Sequence, residues 1–120
     1  MAKDDYEVIV YKILVYFYAC MKRAISFDQN VFDRAIRKDV INDNYFIDIL
    51  AMMQEDGLIR GIQTQKAWGM DTILLSEISD IRITSEGIKY LSDNSKWSKV
   101  KDMLKETKDI IAGLIGILKL

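Results

Sequence analysis

Met52-Met53-Gln54-Glu55-Asp56-Gly57-Leu58-Ile59 is where the chain changes its period. Upstream, Phe46, Ile49, Leu50 and Met53 recur at i, i+3, i+4, i+7, the spacing of one buried helix face. Asn42 or Asp43 supplies the N-cap, and Gly57 stands where a helix ends on a left-handed residue. Downstream the pattern is that of strands. Leu58–Gln63 reads as one, Thr72–Leu75 as a second, and a turn holding Trp68-Gly69 joins them. Ile81-Arg82-Ile83 alternates as a third, and Thr84 or Ser85 caps a following helix through Tyr90 and Leu91.

Two more helices precede this junction. Asp4 and Glu7 form a capping pair for a helix reaching about Met21. Val8, Ile9, Val10, Ile13, Leu14, Val15, Phe17 and Cys20 make it apolar nearly all round, as expected of a central buried helix. After a connection over Lys22–Asn30, Asn30 is expected to cap a second helix. Val31, Phe32, Ala35 and Ile36 form its apolar face, with Arg34, Arg37 and Lys38 opposite. The predicted fold is α+β, mostly α: a winged helix-turn-helix over residues 1–94 with an added amphipathic helix over 95–120. Phe32, Phe46, Ile49, Leu50, Met53, Leu58, Ile83 and Tyr90 are expected in one core around the first helix. An irregular α+β domain is the alternative.

Composition narrows the function. The 120 residues suit one domain, and 17 Lys plus Arg against 18 Asp plus Glu give a net charge of -1. Bulk attraction to nucleic acid or an anionic membrane is therefore absent. With no histidine and one cysteine, histidine-based zinc sites, Ser-His-Asp or Cys-His catalysis and an internal disulfide are excluded. Cys20 reads as a small core hydrophobe. The pairs Asp4-Asp5 and Glu55-Asp56 point about 100° apart on a helix, so they do not converge as an acid-base couple. No phosphate loop or metal-ligand spacing stands out, and no enzyme, cofactor or metal is expected. Val8–Met21 is too short and too interrupted for a membrane span, and Asp4, Asp5 and Glu7 do not begin a secretory signal. A cytoplasmic location is expected.

Met52–Ile59, together with Ile83-Thr84-Ser85-Glu86-Gly87-Ile88-Lys89-Tyr90-Leu91 and Asp93-Asn94-Ser95-Lys96-Trp97-Ser98-Lys99, resembles the YjcQ family of small phage and prophage proteins of Gram-positive bacteria. The resemblance runs from roughly Asp28 to Ile111. It implies a winged-helix-like fold and a mobile-element origin. The apolar tail Ile110–Leu120 departs from the family pattern.

Two functions remain open. One is a prophage-encoded regulator binding double-stranded DNA. The other is a protein-interaction module using the acidic third helix, the wing and the apolar C-terminal helix. A winged helix places its third helix in the major groove, yet Asn42–Asp56 contains no Lys or Arg and carries Asp43, Asp48, Glu55 and Asp56. The DNA contacts expected are Arg34, Arg37 and Lys38 for phosphates, Asn42, Asn44 and Tyr45 at the third helix's start, Arg60 and Lys66 at the wing base, and Trp68 at its tip. Trp68 either wedges against a partner or folds over its own hairpin. Lys96, Lys99, Lys101, Lys105 and Lys108 lie on the last helix, where opposite charges three or four residues away make an ordinary solvated face.

The tail carries its own pattern. Trp97, Val100, Leu104, Thr107, Ile111, Leu114 and Leu118 form a heptad seam, widened by Met103, Ile110 and Ile117. Eleven residues from Ile110 span about 16 Å as helix, roughly half a bilayer core. The tail therefore packs onto its own first helix, or makes a homodimer through Leu104, Ile111, Leu114 and Leu118, or lies shallowly on a membrane surface.

Overall fold

A computed structural model of the chain describes residues 5–66, 69, 71–93, 95, 97–98 and 110–118. Five helices are described: α1 (Asp5–Met21), α2 (Gln29–Ile36), α3 (Asp43–Glu55), α4 (Ser85–Ser92) and α5 (Ile110–Leu118). Four short strands lie between α3 and α4: β1 (Ile59–Arg60), β2 (Thr64–Lys66), β3 (Thr72–Leu74) and β4 (Arg82–Ile83). The architecture is α+β and mostly α, with the order of elements expected from the sequence.

Helix α1 is the axis of the core. Tyr11, Ile13, Leu14, Val15, Tyr16 and Ala19 are sealed from solvent on several sides of it. Helices α2, α3, α4 and α5 and strand β4 all pack against it. A helix surrounded this way must be apolar all round, which is what Val8–Cys20 encodes. Phe32, Phe46, Ile49, Leu50, Met53, Leu58 and Ile83 join the same core, as expected, and Tyr90 is half-buried at its edge.

Three local readings are corrected. Asp28, not Asn30, caps α2. Its carboxylate accepts from the backbone N–H groups of Asn30 (2.9 Å) and Val31 (3.2 Å). The buried Tyr16 hydroxyl fixes the same residue, donating to the Asp28 carbonyl and accepting from its N–H, each at 3.2 Å. Helix α2 also ends sooner, because Arg37 adopts φ 58°, ψ 51° as its left-handed C-cap. The expected strand Leu58–Gln63 is likewise interrupted. The Gln54 side chain donates to the Ile62 carbonyl (3.0 Å) and accepts from its N–H (2.8 Å), so both of those backbone groups bond to a side chain instead of a neighbouring strand.

The strands therefore form two separate antiparallel pairs. In one, Ile59 faces Ile83 and Arg60 faces Arg82. In the other, Thr64–Lys66 faces Thr72–Leu74. The return path between them includes a 3-10 turn, Ile78–Asp80. Gly57, at φ 78°, ends α3 as expected: its N–H donates to Gln54 and that of Leu58 to Met53. Thr84 caps α4, accepting from the Gly87 N–H and donating its hydroxyl to the Gly57 carbonyl, so the two ends of the strand region are tied together.

Helix α5 lies on α1 and α2. It buries Ile111, Leu114, Ile115 and Leu118 in the common core and leaves Ile117 exposed. Trp97 is half-buried with its ring 6.0 Å from that of Tyr11. The rest of the expected seam (Val100, Leu104 and Thr107) and the Asp4 cap lie outside the described residues. Among the described residues, no helix is long and apolar enough to cross a membrane.

Candidate functional site

The C-terminus of α1 begins the site. Arg23 has φ 61°, its N–H donates to the Cys20 carbonyl, and the Ala24 N–H donates to Ala19. This is the double hydrogen bond of a helix end closed by a left-handed residue, with arginine where glycine is favoured. The chain then turns so that the Phe27 ring lies nearly parallel to Phe17 (centroids 6.0 Å, 10°) and edge-on to Tyr16.

The β1–β4 pair forms the opposite wall. Side chains alternate across a strand, so Ile59 and Ile83 enter the core while Arg60 and Arg82 face outward together. One Arg82 guanidinium nitrogen donates to the Ser79 (2.8 Å) and Ile81 (2.9 Å) carbonyls, which orients the group. Between these walls lies a surface cleft of about 550 Å³ lined by Arg23, Arg60 and Arg82, with Phe17, Met21, Ile25 and Phe27 among its apolar lining. Among the described residues, none that lines the cleft is acidic. None of the three arginines pairs with a described carboxylate. Cys20 also lines the cleft; burial pushes its thiol pKa up, partly offset by the positive charge of Arg82.

Most of the other residues expected to touch DNA lie apart from this cleft. Arg34 is exposed on α2. Arg37 and Lys38 do not continue the Arg34 face, because the helix has already ended. Arg37 pairs with Asp39 at 3.3 Å and holds that carboxyl below its usual range. Lys38 pairs with Asp43, and its ammonium sits 5.2 Å from the centre of the Phe46 ring. The Asn42 side-chain oxygen is occupied by capping, accepting from the N–H groups of Asn44 (2.9 Å) and Tyr45 (3.2 Å). Asn44 is exposed and Tyr45 half-buried. Lys66 is exposed at the end of β2. Trp68 and the lysines at 96, 99, 101, 105 and 108 fall outside the described residues.

Of the residues expected to mediate self-association, Ile111, Leu114 and Leu118 are buried within their own chain, and Leu104 is outside the described residues. Sequence reasoning picked Arg60 but not its companions Arg23 and Arg82. The mirrored dipeptides Ile59-Arg60 and Arg82-Ile83 were the available signal: antiparallel pairing of the isoleucines forces the arginines onto one face.

Fold and site together define a small, mostly α domain with an arginine-lined surface cleft. The chain belongs to the YjcQ family, whose model, described as YjcQ protein, matches residues 11–110. The match begins inside α1, earlier than the resemblance legible from Asp28, and membership points to a phage-type protein. Comparison with curated proteins and with solved structures yields no match.

Proposed function

We propose that this phage-type protein is a DNA-binding regulatory module of the winged-helix kind that holds the nucleic-acid backbone in the arginine cleft. The observation that carries this reading is the convergence of Arg23, Arg60 and Arg82, from three separate segments, on one cleft with no acidic lining among the described residues. Phosphate contacts position a nucleic acid, and guanidinium groups match phosphate geometry through paired N–H donors. Asp48, Glu55 and Asp56 are exposed on and just after α3, which opposes deep entry of that helix into a groove. The reading is thus backbone contact from the α1 end and the strand pair.

Three neutralised phosphates on a duplex give a log-log salt slope of about -3. Fluorescence anisotropy of a short labelled random duplex, titrated with salt, tests this. Binding that weakens with that slope, and falls when Arg60 and Arg82 become alanine, supports the reading. No binding at low salt, to this duplex or to a single strand of the same length, overturns it.

A second reading, a protein-interaction module, is favoured by apolar exposure beside the acidic helix. Met52 on α3 is 46% exposed, and Ile73 and Leu75, at the strand packed against it, are 42% and 56% exposed. Binding through that surface would persist at high salt and ignore the cleft arginines.

A further inference from the structure

We infer that the cleft seats a single unstacked nucleotide, so that the preferred ligand is single-stranded DNA rather than an intact duplex. This rests on the DNA-binding reading and narrows it. The cleft is lined by two chemically different sets of side chains. Arg23, Arg60 and Arg82 supply the positive one. Met21, which is 48% exposed, and the half-buried Ile25 and Phe27 supply an apolar one. A duplex keeps its bases stacked within and offers phosphates to a shallow surface; it satisfies the arginines and leaves the apolar side chains wet. A nucleotide out of the stack satisfies both, with its phosphate on the guanidinium groups and its base against Phe27 and Met21.

Size and rigidity agree with this. About 550 Å³ lies within the range of small-ligand sites, roughly 300–1,000 Å³, a size that suits one nucleotide and not a double helix. Phe27 packs against the nearly parallel Phe17 ring and edge-on to Tyr16, so little side-chain freedom is lost when a base docks. Arg82 is oriented by two backbone carbonyls before any ligand arrives. Phosphate contacts and base stacking are available to every nucleotide. Binding tolerant of sequence is therefore expected.

The test compares a labelled oligothymidylate with a duplex of the same length, using the full chain, Arg60→Ala and Phe27→Leu. Leucine keeps Phe27's apolar packing but removes its π face. A strand carrying photoreactive iodouracil, crosslinked and mapped by mass spectrometry, gives a readout on the unmodified protein. The expected result is single-strand binding at least about tenfold tighter than duplex binding, within the contribution of one stacked base. Arg60→Ala and Phe27→Leu should each weaken it, and crosslinks should fall at Met21 or Phe27. Equal or tighter duplex binding that still depends on Arg60 overturns this inference and leaves the DNA reading standing. Single-strand preference with crosslinks elsewhere, and no effect of Phe27→Leu, overturns the placement in the cleft. Binding to neither nucleic acid overturns both.

Discussion

Arg60 and Arg82 stand directly opposite one another across the antiparallel β1–β4 pair. Like charges in that position oppose pairing, by up to about 1 kcal/mol. The pair is only two residues long on each side, so there is little ladder to offset the repulsion. Arg60→Thr is therefore expected to raise stability by a few tenths to about 1 kcal/mol, since threonine also suits an exposed strand position. DNA affinity should fall in the same variant, with the salt slope shallower by about 0.7–0.9 for the lost phosphate contact. Urea denaturation and salt-titrated anisotropy measure the two effects. A variant that lost stability would show that the arginines support the fold instead of straining it.

Arg23 and Arg37 provide a matched comparison. Both are non-glycine residues at positive φ, 61° and 58°, closing α1 and α2. Replacing either with glycine relieves a left-handed backbone that costs roughly 1 kcal/mol with a side chain, offset in part by the greater freedom of glycine in the unfolded chain. Each substitution is expected to raise the melting temperature slightly or leave it unchanged. Only Arg23→Gly should weaken DNA binding, because only Arg23 lines the cleft. Equal losses from both would return the binding surface to α2, where the sequence alone placed it.

How much was legible follows from the range of each signal. The all-round apolarity of α1, the apolar periodicity of α3 and the caps at Asn42, Gly57 and Thr84 are local patterns, and the structure keeps them. The break in the strand after Arg60 depends on Gln54, a helix residue bonding to Ile62 eight positions away, for which no local pattern exists. The grouping of basic residues has the same dependence on distant packing. Arg34, Arg37 and Lys38 share a face only if the helix continues, and Arg37 ends it. Arg23, Arg60 and Arg82 meet only once α1 and the strand pair are packed together.

Gly87 tests that packing. A Cβ at this position would collide with the Leu58 backbone carbonyl and lie 2.7 Å from Ile83 Cγ1. The same carbonyl accepts from the Thr84 N–H, so it is not free to withdraw. Gly87→Ala is expected to cost about 1–3 kcal/mol by overpacking, despite alanine's better helix propensity. A neutral or stabilising result in chemical denaturation would mean that α4 sits further from the strands.

Alkaline pH should unfold the protein through its tyrosines. Burial, and then the nearby Glu7 carboxylate, push the Tyr90 pKa up to about 12 from an ordinary 10.0. Tyr6, Tyr11 and Tyr16 are also raised, chiefly by burial. The folded state thus holds these protons more tightly than the unfolded one. Stability from this source is fully present below pH 10 and declines as pH rises toward 12. Denaturation free energies measured across that window should fall, and Tyr90→Phe should flatten the decline. A flat profile in the parent protein would contradict the buried setting of the ring.

Helix α5 gives the last prediction, because two uses of the same residues lead to opposite results. Ile111 and Leu114 are 0% and 5% exposed, packed into the core that α5 shares with α1 and α2. Truncating either to alanine removes packing inside one molecule and should cost about 2–5 kcal/mol, whatever the protein concentration. Gly113 and Gly116 are exposed, and among the described residues a Cβ on either meets nothing within 4 Å. Gly113→Ala should therefore raise stability by about 0.5–1 kcal/mol through helix propensity alone. A homodimer joined through close approach at these glycines behaves differently. There, Gly113→Ala would clash and dissociate it, while Ile111→Ala would change dimerisation and leave the monomer's stability intact. Sedimentation across a concentration series, combined with urea denaturation of both variants, separates the two. A monomer at every concentration, weakened by Ile111→Ala and strengthened by Gly113→Ala, is the outcome that intramolecular packing requires.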